Sequence, residues 1–187
     1  DTYRSEIADI VLELGSDMIN DVTALRGDPK MAKILAKHGA PVVLMYSKDK
    51  TPRTSSKKVH YKDVIKTITN FLEERIAFAE SSGIHRKNII IDPGMGAFVS
   101  SEAKYSLQIL ARLHELQKFN LPILIGASRK SFIGNTLNLL LSERIEGSLA
   151  CAAVAAMNGA SIFRAHDVKQ TRRIVDMIYA IKNACKP

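Results

Sequence analysis

Asn88-Ile89-Ile90-Ile91-Asp92-Pro93-Gly94-Met95-Gly96 joins an unbroken β-branched run to a charged, glycine-rich turn. Three isoleucines with no polar alternation suit a strand buried on both faces, as in a parallel sheet. Outward from this stretch the same pattern recurs at Asp17 to Asn20, Pro41 to Met45, Pro122 to Gly126 and Ala160 to Arg164. Helical spacing of apolar residues fills the intervals: Arg4 to Leu14, Pro29 to His38, Val64 to Ala79, Tyr105 to Leu116, Ile145 to Met157 and Ile174 to Ile181. Asp28 is placed to cap the second of these helices, with Pro29 in its first turn. Gly15, Gly39, Gly83 and Gly159 each follow a helix and precede a strand, the position of a left-handed C-cap.

Alternating helix and strand leaves two architectures, a doubly wound open sheet or a (β/α)8 barrel. The Gly-x-Gly-x-x-Gly turn that would favour the first is absent, and the polar residues at the strand ends favour the second. No linker or change of composition divides residues 1–187, so a single α/β domain is expected. With 46% apolar and 25% charged residues among 187, the composition excludes a disordered tail, a collagen-like fibre and a disulfide-rich miniprotein. No apolar run has the length of a membrane helix. Cys151 and Cys185 form no C-x-x-C pair and suit reduced thiols in a cytoplasmic protein. The net charge of +8 does not imply nucleic acid. The densest basic stretch, Lys48 to Lys62, has few aromatic residues and reads as a mobile basic loop that suits a small phosphorylated anion.

Parallel α/β folds bind ligands at the carboxyl ends of their strands. Those ends read Asn20-Asp21, Met45-Tyr46-Ser47, Asp92-Pro93-Gly94, Gly126-Ala127-Ser128-Arg129-Lys130 and Arg164-Ala165-His166-Asp167. Each cluster alone has a structural explanation: a turn at Asn20 or Asp92, a helix cap at Ser128, an ion pair between Arg164 and Asp167. Four such clusters at four strand ends point jointly to one site. Asp92 and Asn20 suit the N–C–N donor edge of a nitrogen heterocycle, since a carboxylate makes two parallel bonds to it. Lys130, Arg164 and His166 suit a phosphate or diphosphate. Nucleophile-elbow, Walker-type and zinc spacings are absent.

The segments Ile19-Asn20-Asp21-Val22, Ile91-Asp92-Pro93-Gly94-Met95-Gly96, Gly126-Ala127-Ser128-Arg129-Lys130-Ser131-Phe132 and Arg164-Ala165-His166-Asp167-Val168 occur in the order and spacing of the dihydropteroate synthase family. Glu143-Arg144 and Gly147-Ser148-Leu149-Ala150 fit it too, and the resemblance covers essentially the whole chain. It implies a (β/α)8 TIM barrel. It also implies an enzyme that joins 6-hydroxymethyl-7,8-dihydropterin diphosphate to p-aminobenzoate, with Mg²⁺ accompanying the diphosphate. By matching position, Asp1, Asn20, Asp92 and Lys130 are the expected pterin contacts, and Ser131 and Met95 the expected p-aminobenzoate contacts. Arg164 and His166 are the expected diphosphate contacts, and Lys130, Arg164 and His166 the expected catalytic group. A homodimer in the cytoplasm, with neither a nucleic-acid nor a membrane partner, completes the expectation.

Three departures stand out. Ala97-Phe98-Val99 replaces a common Phe-Gly-Lys, Met95 stands where an aromatic is frequent, and Tyr46 stands where His is frequent. The resemblance also implies a partial barrel of about five βα units. The family's first two strands and most of its third, with the magnesium ligand, are expected to lie N-terminal to Asp1. Two other functions share the pterin residues: a methyltetrahydrofolate-type methyltransferase, and a non-catalytic barrel fragment acting in assembly. The Ser-Arg-Lys-Ser segment argues against the methyltransferase.

Overall fold

The aliphatic runs form five short parallel strands. A computed structural model describes residues 1–184, so Cys185 lies outside the described residues. In chain order the elements are α1 (Ser5–Glu13), β1 (Ile19–Asp21), α2 (Met31–His38), β2 (Val42–Met45), α3 (Val64–Ser81), β3 (Ile89–Asp92), α4 (Ala103–Ala111), β4 (Leu124–Ile125), α5 (Ser131–Leu137), α6 (Ile145–Met157), β5 (Ile162–Phe163) and α7 (Val168–Asn183). β1 pairs with β2 and β2 with β3, with Asn20 opposite Val43 and Met45 opposite Asp92. β4 pairs with β5, and a single bridge between Ile91 and Ile123 joins the two sheets. Neighbours in sequence are therefore neighbours in space throughout.

The period-two alternation of strands sorts side chains between two cores. Ile19, Val42, Leu44, Ile89, Ile91, Ile123 and Ile125 pack outward in one large cluster with the helices. Val43, Ile90 and Leu124 form a second, smaller cluster on the inner face, with Ile162 against it. This is why the runs read as continuous hydrophobics. Asn20, Asp92 and Arg164 share the parity of the inner set, whereas Asp21 shares that of the outer set.

The sheet is curled. In a flat sheet the outer two of five strands would stand ~19 Å apart, at ~4.8 Å per step. The Thr2 amide donates to the Asn20 carbonyl at 3.1 Å, which places Asp1 beside β1. Yet Arg164, just after β5, reaches the Asp1 carboxylate at 2.6 Å. One arginine side chain spans that gap only if the strand ends converge.

Several boundaries differ from the sequence expectation for identifiable reasons. α2 begins at Met31, two residues after Pro29, and the Asp28 carboxylate caps the turn that leads into it. It accepts from Lys30 N–H at 2.9 Å and from Ser5 N–H at 2.8 Å, so it serves the start of α1 as well. The Tyr105 to Leu116 pattern splits into α4 and a 3₁₀ segment, Leu113–Phe119. α7 begins at Val168, six residues before the expected start, since its first turns are polar and exposed. The four post-helix glycines all hold positive φ, with Gly39 the left-handed C-cap of α2. Lys48 is not a solvated loop cation. Its side chain is 4% exposed, and its ammonium donates to Ser55 O at 2.6 Å and Ala97 O at 2.5 Å. No helix among the described residues is long and apolar enough to cross a membrane.

Candidate functional site

The inner face carries its polar groups at the carboxyl ends of the strands. Asp92 ends β3, is buried, and accepts a hydrogen bond from Gly94 N–H at 2.7 Å. Gly94 holds φ +69, and a Cβ there would stand 2.3 Å from the Tyr46 carbonyl oxygen. Only glycine fits where this turn passes under β2. Burial pushes the Asp92 carboxyl up to about 6, while Lys130, the Gly94 amide and Arg164 pull the other way. Burial likewise depresses the Lys130 ammonium, against the pull of Asp92. Lys130 donates to Met95 O at 3.0 Å and lies 5.4 Å from the Phe98 ring centroid.

Asp1, Asn20 and Arg164 form a second group. The Asp1 carboxylate accepts from the Asn20 amide and from the Arg164 guanidinium. The Asn20 Oδ1 is buried without a hydrogen-bond partner, an acceptor left facing inward. Asp21 does different work from its neighbour. It is fully buried on the outer face and accepts from Thr23 N–H and Leu25 N–H, both at 2.8 Å, shaping a turn in which Ala24 and Leu25 hold positive φ.

Ser128 and His166 meet across β4 and β5. The Ser128 hydroxyl accepts from His166 N–H at 3.1 Å and sits 3.0 Å from its Nδ1. Both residues lie three positions past the registered pair Ile125 and Phe163, a spacing from which the contact could have been read. The Arg164–Asp167 ion pair that would have given this cluster a purely structural explanation does not form. Asp167 pairs instead with Arg129, at 3.0 and 2.5 Å, because Arg164 points inward to Asp1. The alternative of a helix cap at Ser128 is also absent, since its hydroxyl is taken by His166.

A cleft of about 550 Å³ opens between Gly126, Ser128, Arg129, Lys130, Leu141, Arg164 and His166. Ser131 stands exposed at the first residue of α5. Met95 is brought near through its carbonyl, but its side chain is 1% exposed and belongs to the outer core. Half-buried Phe98 is the aromatic beside Lys130, in a position the sequence reading did not assign. A second groove of about 430 Å³ runs along β5 and α7. Its charged residues Arg172 and Asp176 pair with each other at 2.7 Å.

A curled parallel α/β sheet with a buried carboxylate, an amide and cations at the ends of its strands defines the class: an α/β protein with a polar cleft at the carboxyl ends of its strands. The chain belongs to the pterin-binding enzyme family, whose profile, "Pterin binding enzyme", matches residues 1–166. It is 41% identical over 184 residues to the dihydropteroate synthase of Escherichia coli K12, covering 98% of this chain and 64% of that protein. It is similar to the Xanthomonas albilineans dihydropteroate synthase solved with 4-aminobenzoic acid, at TM-score 0.90 and 36% identity over 100% of this chain and 67% of that one. The same enzyme in complex with 7,8-dihydropteroate matches at TM-score 0.87 and 36% identity, over 100% and 66%. The chain thus spans less than two thirds of the length of the E. coli relative.

Proposed function

We propose that these residues carry the pterin pocket and the diphosphate end of a dihydropteroate synthase. The reaction joins 6-hydroxymethyl-7,8-dihydropterin diphosphate to p-aminobenzoate, giving dihydropteroate and diphosphate. The observation that carries the proposal is the inner-face constellation itself. A buried carboxylate with Lys130 beside it, the unpartnered Asn20 acceptor, Arg164 and His166 gather on one face, with Asp1 joining Asn20 to Arg164. The architecture that goes with it is a (β/α)8 barrel of which these residues supply five strands. The curl of the sheet and the 36% identity to the X. albilineans structures support this.

In this proposal Asp92 accepts from the pterin's 2-amino and ring N–H groups, replacing water with two charge-assisted bonds. Asn20 Oδ1 takes a further donor and Asp1 closes the pocket. Arg164 and His166 face the diphosphate and neutralise the charge that develops as the methylene C–O bond breaks. The arylamine nitrogen forms the new C–N bond and then loses its proton to solvent. Lys130 stands between the two substrates, and Ser131 meets the p-aminobenzoate carboxylate at the start of α5. Met95 contributes through the carbonyl that fixes Lys130. Holding both substrates in line supplies much of the rate, since orientation alone is worth several kcal/mol.

Magnesium is not built in by this chain's own residues. The diphosphate end offers Arg164, His166, Ser128 and Arg129, and its carboxylates Asp1 and Asp167 are already paired with arginines. That donor set does not fit a hard cation needing several oxygens, so no step here runs through one. The cluster of Asp9, Glu13 and His38 lies at the far ends of α1 and α2, away from the carboxyl ends of the strands. The proposal includes a cytoplasmic homodimer. Support for the dimer is the set of exposed apolar residues Val154, Met157, Met177 and Ile181 on α6 and α7.

The test is mass-spectrometric detection of dihydropteroate. The complete reading frame is expressed and supplied with the pterin diphosphate and p-aminobenzoate. Product with equimolar diphosphate is expected. Pterin binding without product, or methyl transfer to a corrinoid, would overturn the proposal.

A further inference from the structure

The turn between the two halves of the cleft is held against its own preference. Arg129 has φ +55, a conformation that L side chains rarely adopt, and no glycine occupies the position. On one side of it Ser128 bonds His166; on the other Lys130 enters the cleft. Three side chains from two elements fix this one residue. From α6, the Ser148 hydroxyl accepts the Arg129 N–H at 2.9 Å and donates to the Arg144 carbonyl at 2.6 Å. Arg144 in turn donates to the Arg129 carbonyl at 3.1 Å. From the start of α7, Asp167 grips the Arg129 guanidinium with both oxygens. The Arg144 guanidinium lies against Gly134 of α5, where a Cβ would stand 2.4 Å from its Nη2, so packing leaves it little freedom to let go.

Such a concentration of partners is out of proportion to its worth in stability. The Arg129 side chain is 41% exposed, and exposed ion pairs contribute little. Strain held in place by surrounding structure is characteristic of functional turns. We infer that Ser148 and Asp167 are positioning residues: they hold Arg129 left-handed and thereby set the direction in which Lys130 enters the cleft. Neither touches the substrates proposed above. The inference rests on the reading of Lys130 as a site residue, and it adds a mechanism for aiming it.

The test reads Lys130 itself, in the full-length protein, without turnover. Reductive ¹³C-methylation gives each lysine an NMR signal, and Lys130→Arg identifies the one that disappears. The groups facing Lys130 are Asp92 and Arg164. Ser148→Ala and Asp167→Asn are expected to shift the Lys130 titration upward toward ordinary lysine, because the ammonium leaves its buried position. Ser148→Thr, which keeps the hydroxyl, should restore it. Arg129→Gly takes up positive φ unaided, so adding it to Ser148→Ala should also restore the signal. In steady-state assays, Ser148→Ala should lower kcat at least tenfold with the pterin KM unchanged. An unmoved Lys130 titration in both single variants would overturn the inference. If the titration moves as expected but no dihydropteroate is made by the unaltered enzyme, the positioning stands and the synthase function falls.

Discussion

Asp92 is a carboxylate held where water is scarce, and its surroundings make it costly. Its pKa stands at about 6 against an ordinary 3.8 because burial disfavours the charged form. Between those values the folded chain holds a proton that the unfolded chain releases. Stability therefore falls as pH rises through that window, and the full cost, about 3 kcal/mol, is present at neutral pH. Asp92→Asn removes the charge. Its melting temperature should exceed that of the unaltered protein by about 3 °C or more at pH 7.5, with the difference vanishing toward pH 4. Part of the gain is offset because Lys130 loses its neighbouring carboxylate. Pterin affinity, measured by calorimetry, should fall at least tenfold in the same variant. A gain independent of pH would show that the carboxylate charge is not the source. The same scale shows what the sequence conveys and what it withholds. Asn20 and Asp21 are adjacent and equally polar, yet strand parity sends one to the site and the other to a turn. Parity follows from the inner and outer clusters, which a run of uniform isoleucines does not reveal.

Elements were legible where periodicity is strong and blurred where other interactions take over. The strand positions, the long helix α3 and the small-residue helix α6 follow from their sequences. The true start of α7 does not, because its first turns have no apolar stripe. The pairing of Arg129 with Asp167 was also hidden, since it depends on which way Arg164 turns. The segment 48–62 is the clearest case of a loop whose contacts composition does not reveal. Its exposed lysines suggest mobility, but Asp49 gathers it: the carboxylate accepts from Ser55 N–H at 2.8 Å, Lys48 Nζ at 2.9 Å and Thr54 Oγ1 at 3.1 Å. The Ser55 amide and the Lys48 ammonium hold the Asp49 carboxyl well below the usual range. Tyr61 pins the far end, donating to Val99 O at 2.7 Å. Asp49→Ala should speed amide hydrogen exchange of residues 54–59 at least tenfold while leaving β2 and β3 protected. Unchanged exchange in that loop would show that Tyr61 and the backbone hold it without Asp49.

At the scale of the whole molecule, the curl of the sheet is what makes one site from scattered residues. Asp1 and Arg164 are 163 positions apart, yet they meet because the strand ends converge. The exposed apolar residues of α6 and α7 lie away from that cleft. Sedimentation equilibrium of the complete protein should give twice the protomer mass, and Met177→Lys with Ile181→Lys should give a monomer. A monomer without the substitutions would remove the dimer from the proposal. The assignment of the cleft as the place of transfer is tested by the single-turnover rate of dihydropteroate formation in Lys130→Ala and Arg164→Ala. Each should fall by roughly 100-fold or more, with the folded circular dichroism spectrum retained, because each removes charge from the reacting end. A rate equal to that of the unaltered enzyme in either variant would contradict it.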